Sequence, residues 1–230
     1  LSTFDALPSP RLLKTHAPVS HLLSRGGDGT PAPARYIVVT RNPLDACASC
    51  YYHAWHPQSS GWPFDAHALA WLDGRGNGAF GAQGTWFDFY SGWHAEAARF
   101  PPSPSGLGAS AVAPAVLWLH YEALLRDPAR EARAIAIFLG LDATDPALIA
   151  RVVAGSSFAS MREAAVTAEA VAEGVGEGGG EGYEVPGKTE QRERRLADHL
   201  RKGEVGDWRA HCELYPELLS VFEADFARKM

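Results

Sequence analysis

The sequence predicts an α/β domain in which a parallel sheet is flanked by helices in three layers, and three observations carry that prediction. The run Tyr36 to Thr40 (YIVVT) is short, apolar and rich in β-branched residues, the composition of a strand buried on both faces. Arg41, Asn42 and Pro43 end it at once, and the segment that follows reads as a helix. A second run, Ala115 to His120 (AVLWLH), repeats the order of strand then helix, and 230 residues at 46% hydrophobic and 21% charged suit one domain over 1–230.

Taken in order, Arg11 to Thr15 reads as a strand tip leading to Lys14 and His16, and the Gly- and Pro-rich residues 26–35 as a surface connection. Beyond the central strand, Asp45 reads as an acidic residue capping the helix start. Trp62, Phe64, Leu69, Trp71 and Leu72 predict an amphipathic helix with an aromatic buried face, and Trp86 to Phe100 a second, with Phe87, Tyr90 and Trp93 or His94 inward. Residues 101–114 read as a loop. After the second strand, Asp127 and Pro128 start a helix that Gly140 stops; Asp145 and Pro146 start another of about ten residues, and Ser156 opens the next. Residues 164–199 lose periodicity, with six glycines between Gly174 and Gly182, and read as a mobile loop or lid. A helix from about Pro216 to Met230 closes the chain.

Charge narrows the partners. Lys and Arg number 21 against 27 Asp and Glu, a formal net charge of -6, which argues against nucleic acid because phosphate-backbone binding needs surplus cations on one face. An anion site must therefore be built locally, and the end of the central strand is where α/β sheets collect ligands. Arg41 stands there, with Ser49 two turns into the helix behind it. No run approaches 18 apolar residues, so no membrane-spanning helix is predicted. Three cysteines are too few for a disulfide scaffold and fit a reducing compartment. Cys47 and Cys50 form a C-x-x-C, which admits a thiol redox pair or half a zinc site. Ala48 and Ser49 between them are unlike the usual intervening residues and no second C-x-x-C exists, so packing is the preferred role and no metal is expected.

Four segments, PRLLKTH (10–16), RNPLDACASCYYH (41–53), LHYEALLRDPAREARAIAIFLG (119–140) and RKGEVGDW (201–208), together resemble the cytosolic sulfotransferases in order and spacing. The resemblance implies a P-loop nucleoside-kinase-like fold, a cytoplasmic location and transfer of a sulfuryl group from 3'-phosphoadenosine-5'-phosphosulfate (PAPS) to a hydroxyl or amine of a small-molecule acceptor. It implies that Arg41, Ser49, Arg201, Lys202 and Gly203 hold the 3'-phosphate, and that Tyr121, Ser156, Ser157 and Phe158 surround the adenine. His16 becomes the general base and Lys14 the cation that stabilises charge on the moving sulfuryl group. The family usually shows Thr at the position of Ser156.

One departure stands out. The family's phosphosulfate loop, a Tyr-Pro-Lys-Ser-Gly-Thr-Thr-Trp-like segment with the first strand and helix, has no counterpart upstream of Lys14, so the fold is expected to lack that strand and helix and the isolated chain to have little or no activity. The chain opens without an initiator Met, and N-terminal truncation is the simpler explanation. A degenerate relative that binds nucleotide or serves as an interaction protein is the alternative, and a C-x-x-C redox protein a remote one. The family's dimer signature after GDW is poorly matched, with Glu213, Leu214 and Leu218 at its positions, so no oligomeric state is assigned.

Overall fold

The structure of the chain, a computed structural model, describes residues 11–22, 35–52, 61–75, 84–99, 115–164 and 202–229. Two strands, β1 (Arg35–Thr40) and β2 (Ala115–His120), pair in parallel in a register running from Arg35 beside Ala115 to Thr40 beside His120. In chain order the helices are α1 (Val19–Leu22), α2 (Pro43–Tyr51), α3 (Phe64–Leu72), α4 (Trp86–Arg99), α5 (Tyr121–Arg126), α6 (Pro128–Leu139), α7 (Pro146–Gly155), α8 (158–164), α9 (Trp208–Leu214) and α10 (Glu217–Lys229). The strand-then-helix order is as the sequence predicts. The two strands and the long helices fall within two residues of their expected bounds.

Several boundaries have plain local causes. Asp127 caps α6 by accepting from the Arg130 N–H at 3.0 Å, and Asp145 caps α7 by accepting from the Ala147 N–H at 2.8 Å, each with Pro at the next position. Gly140 ends α6 with a left-handed φ of 76°, which a side chain would resist. At α4 the Thr85 hydroxyl accepts from the Asp88 N–H at 3.1 Å while the Asp88 carboxylate accepts from the Thr85 N–H at 2.8 Å, a reciprocal capping box.

Two buried clusters hold the elements together. One joins Cys47 and Ala48 of α2, Phe64, Ala68, Trp71 and Leu72 of α3, and Leu218 and Phe222 of α10, with the Trp71 and Phe222 rings stacked at 6.1 Å between centroids. The other joins Val19 of α1, Val38 of β1 and Trp93 of α4.

Four expectations are corrected. Residues 11–18 carry no regular secondary structure, and Leu12 and Leu13 are exposed, because no strand among the described residues lies beside them to satisfy a ladder. β1 is buried on one face only: Val38 and Thr40 are covered, whereas Ile37 and Val39 are 38% and 45% exposed. Trp62 and Leu69 lie outside the buried face of α3, which Phe64, His67, Ala68, Trp71 and Leu72 supply instead. A short extra helix, α5, intervenes between β2 and α6. Apart from Arg35 and Ala164, the expected loops at 26–35 and 101–114 and the expected lid at 164–199 lie outside the described residues.

Candidate active site

The site grows from the turn between β1 and α2. Asn42 caps α2, its side-chain oxygen accepting from the Leu44 and Asp45 N–H groups at 2.9 and 3.4 Å, and its own N–H donates to Glu122 Oε1 at 2.8 Å. That bond ties the end of β1 to the start of α5, so the two strand ends are held as one unit. Thr40 Oγ1 adds a second tie, 2.7 Å from His120 Nδ1 and donating to the Leu119 carbonyl at 3.2 Å.

Arg41 leaves this turn with its guanidinium carbon 4.5 Å from the centroid of the Tyr121 ring, a cation–π contact, and its Nη2 donating to the Glu204 carbonyl at 3.3 Å. Its Nε is buried and has no hydrogen-bond partner among the described residues. A basic group brought from the strand end thus meets an aromatic from β2's end and the backbone of a loop 163 residues away.

That loop, residues 202–207, is held at four points. Lys202 pairs with Asp207 at 2.5 Å. Gly203 takes φ +66° directly against the Phe158 ring of α8, at a separation that leaves no room for a β-carbon. Glu204 accepts from Arg41. Gly206, at φ +92°, donates its N–H to both carboxylate oxygens of Asp45 at 3.0 and 2.8 Å. Asp45 was expected to cap α2; Asn42 does so, and the Asp45 side chain, 1% exposed, is turned to the loop instead. The cause is register, since the residue three places into the helix faces inward once Asn42 holds the cap.

Of the residues singled out from sequence, Arg41, Tyr121, Phe158, Lys202 and Gly203 are thus linked through one set of contacts. Ser49 is exposed on α2. Ser156 and Ser157 spend their hydroxyls locally: Ser156 Oγ donates to the Val152 carbonyl at 2.7 Å at the end of α7, and Ser157 Oγ accepts from the Ser160 N–H at 3.2 Å at the start of α8. Lys14 and His16 are exposed in the irregular segment 11–18, where Thr15 Oγ1 accepts from the Ala17 N–H at 2.9 Å. Arg201 lies outside the described residues. Sequence reasoning missed Asp45 and Glu122 as contributors, because their partners are 161 and 80 positions away and no local pattern announces them.

A cavity of about 660 Å3 opens beside Arg41, walled by Thr40, Trp86, Tyr90, His94, His120 and Glu122 among others, within the usual size range of small-molecule sites. The Tyr90 hydroxyl donates to the Val39 carbonyl at 2.9 Å, and burial pushes its pKa up to about 12. His94 stacks on Trp118 at 4.1 Å between centroids. No group of three or more His, Cys, Asp or Glu among the described residues is arranged to hold a metal ion.

The two cysteines of the C-x-x-C belong to the core packing. Cys47 is fully buried, and burial drives its thiol pKa well up; burial likewise lifts Cys50 to about 12. A nucleophilic thiol needs the opposite shift, so nothing in the geometry favours the redox reading.

The family model described as the sulfotransferase domain matches residues 1–230. The chain belongs to the sulfotransferase family. As a sulfotransferase-family chain it is 26% identical to rat (Rattus norvegicus) sulfotransferase 1C2 over 212 residues, covering 90% of this chain and 58% of that protein. It is 26% identical to human sulfotransferase 1C2 over 230 residues, covering 98% of this chain and 63% of the relative. Rat sulfotransferase 1A1 is 27% identical over 235 residues, covering all of this chain and 66% of the relative. The chain thus spans less than two thirds of the length of these relatives. Among solved structures, mouse sulfotransferase SULT7A1 complexed with PAP superposes with a TM-score of 0.61 at 20% identity, covering the whole chain and 68% of the mouse protein, a likeness of fold. The α/β fold expected from the sequence is that of the sulfotransferases, and no helix among the described residues is long and apolar enough to cross a membrane.

Proposed function

We propose that the loop 202–207, Arg41 and Tyr121 form the 3'-phosphate side of a nucleotide site, and that the protein transfers a sulfuryl group from PAPS to a hydroxyl or amine of a small-molecule acceptor. The observation that carries this reading is the meeting of Arg41 with the Lys202–Gly203 loop. Arg41 offers a planar fork of donors suited to phosphate oxygens, and its buried Nε has no partner among the described residues. Lys202, paired in this structure with Asp207, supplies a second cation on the loop that Arg41 meets. Gly203 lets backbone approach closely against the Phe158 ring, and the Tyr121 ring lies against Arg41, aromatic surfaces that suit a purine. Family membership supports the chemistry, and PAP, the ligand named for the mouse structure, is the product that such a donor leaves behind.

In the reaction, the acceptor oxygen or nitrogen attacks sulfur, the bond from sulfur to the 5'-phosphate oxygen breaks in line, and PAP departs. His16 takes the acceptor's proton and Lys14 stabilises charge on the sulfuryl oxygens. Ser49, Arg201, Ser156 and Ser157 complete the proposed nucleotide set, as the resemblance of the motifs implies. Calorimetric titration with PAP and with adenosine 5'-phosphate tests the binding half: the 3'-phosphate reading requires PAP to bind more tightly, and equal affinities contradict it.

A further inference from the structure

We infer that Asp45 is a positioning residue for the nucleotide site, holding the 202–207 loop at the distance from Arg41 that a phosphate needs to be shared between them. The inference rests on the reading of that loop as the 3'-phosphate site. Three features of Asp45 carry it. First, its carboxylate is 1% exposed, and a buried charge is costly unless it is bonded. Second, the helix cap does not account for it, since Asn42 already takes the Leu44 and Asp45 N–H groups. Third, both oxygens face one donor, the Gly206 N–H, at 3.0 and 2.8 Å, and that N–H points to α2 because Gly206 adopts φ +92°, a conformation other residues resist.

The bond therefore joins the two halves of the site directly. Arg41 and Asp45 sit at one strand-to-helix turn; Lys202, Gly203 and Gly206 sit on one short loop; and a second tie between them, Arg41 to the Glu204 carbonyl, is longer at 3.3 Å and exposed. The positive end of the α2 dipole favours the charge on Asp45. A loop so held needs no ordering when phosphate arrives, and preorganisation of this kind appears as ligand affinity.

The test compares the wild-type chain with Asp45→Ala, Asp45→Glu and Asp45→Asn, reading PAP and adenosine 5'-phosphate affinities by calorimetry and Gly206 amide exchange without ligand. Removal of the acceptor in Asp45→Ala should weaken PAP roughly five- to twentyfold, leave adenosine 5'-phosphate nearly unchanged and speed Gly206 exchange. Asp45→Asn, whose side-chain oxygen still accepts, should recover PAP affinity to within about threefold. If Asp45→Ala does not unfold cooperatively, Asp45→Glu, with its carboxylate displaced by one methylene, carries the same expectation. Unchanged PAP affinity in a folded Asp45→Ala or Asp45→Glu overturns the inference, as does equal loss of both nucleotides. A wild-type chain that binds no PAP while Asp45 still protects the Gly206 amide shows instead that the nucleotide reading fails, and the positioning role falls with it.

Discussion

The Phe158 ring occupies the space that a side chain on Gly203 would need: a β-carbon there would lie 2.9 Å from Phe158 Cε2 and nearer still to Cδ2. The two residues are far apart in the chain, so this contact sets where α8 meets the 202–207 loop. Gly203→Ala is expected to cost about 1–2 kcal/mol from the left-handed backbone alone, and more from the collision. Phe158→Ala should recover the collision part and leave the backbone part. A double-mutant cycle by denaturant unfolding checks this, with a coupling of clear sign between the two sites.

Arg41 should not be replaceable by Lys. The guanidinium lies over Tyr121 and reaches the Glu204 carbonyl at once, which an ammonium cannot do from one position. Arg41→Lys is predicted to lose about tenfold or more in PAP affinity, measured by calorimetry, with the unfolding midpoint of the free chain little altered.

Acid should weaken the fold through His67. Burial pushes this imidazole down to about 4 from its ordinary 6.5, against a smaller opposing effect of its Nε2–H donating to the Cys47 carbonyl at 3.3 Å. The unfolded chain then binds more protons than the folded one between pH 6.5 and about 4, so stability rises with pH across that window, is complete above it, and is lost as pH falls. Urea unfolding at pH 7.5 and pH 5 should differ by about 2 kcal/mol from this group, and His67→Gln, which keeps a donor but does not titrate, should flatten the difference.

The C-terminal helix is held by stacking and by charge. Phe222 is 2% exposed against Trp71, and Phe222→Ala should cost about 3–5 kcal/mol, seen as a lower denaturant midpoint at an unchanged slope. Asp225 ties the same helix internally: burial tends to raise its pKa, but bonds from Lys229 and Arg228 outweigh burial and hold it below the usual carboxylate range.

Much of this fold is legible in the sequence because its signals are local. Asp127–Pro128, Asp145–Pro146 and Gly140 mark helix ends through bonds made within a turn, and the β-branched run at 36–40 marks its strand directly. The exposed Ile37 and Val39 were not legible, since a both-faces-buried composition says nothing of whether a neighbour covers each face. The roles of Asp45 and Glu122 were equally hidden. Which of Asn42 and Asp45 caps α2 and which is left to reach Gly206 depends on a shift of three residues in register, and the partner is settled only by the tertiary fold. Arg41, Tyr121, Phe158 and Gly203 could be selected by resemblance to a family, but the aromatic and backbone contacts that join them could not.

If Arg41 and the 202–207 loop bind a 3'-phosphorylated adenosine nucleotide, thermal unfolding of this chain with and without PAP must register it. At about 100 times Kd, binding to the folded state alone adds about 2.7 kcal/mol, a readily seen rise in midpoint. That rise is expected in the wild-type chain, and its loss in Arg41→Ala. A cooperative unfolding transition that PAP leaves unmoved, or one that PAP raises equally in Arg41→Ala, would contradict it.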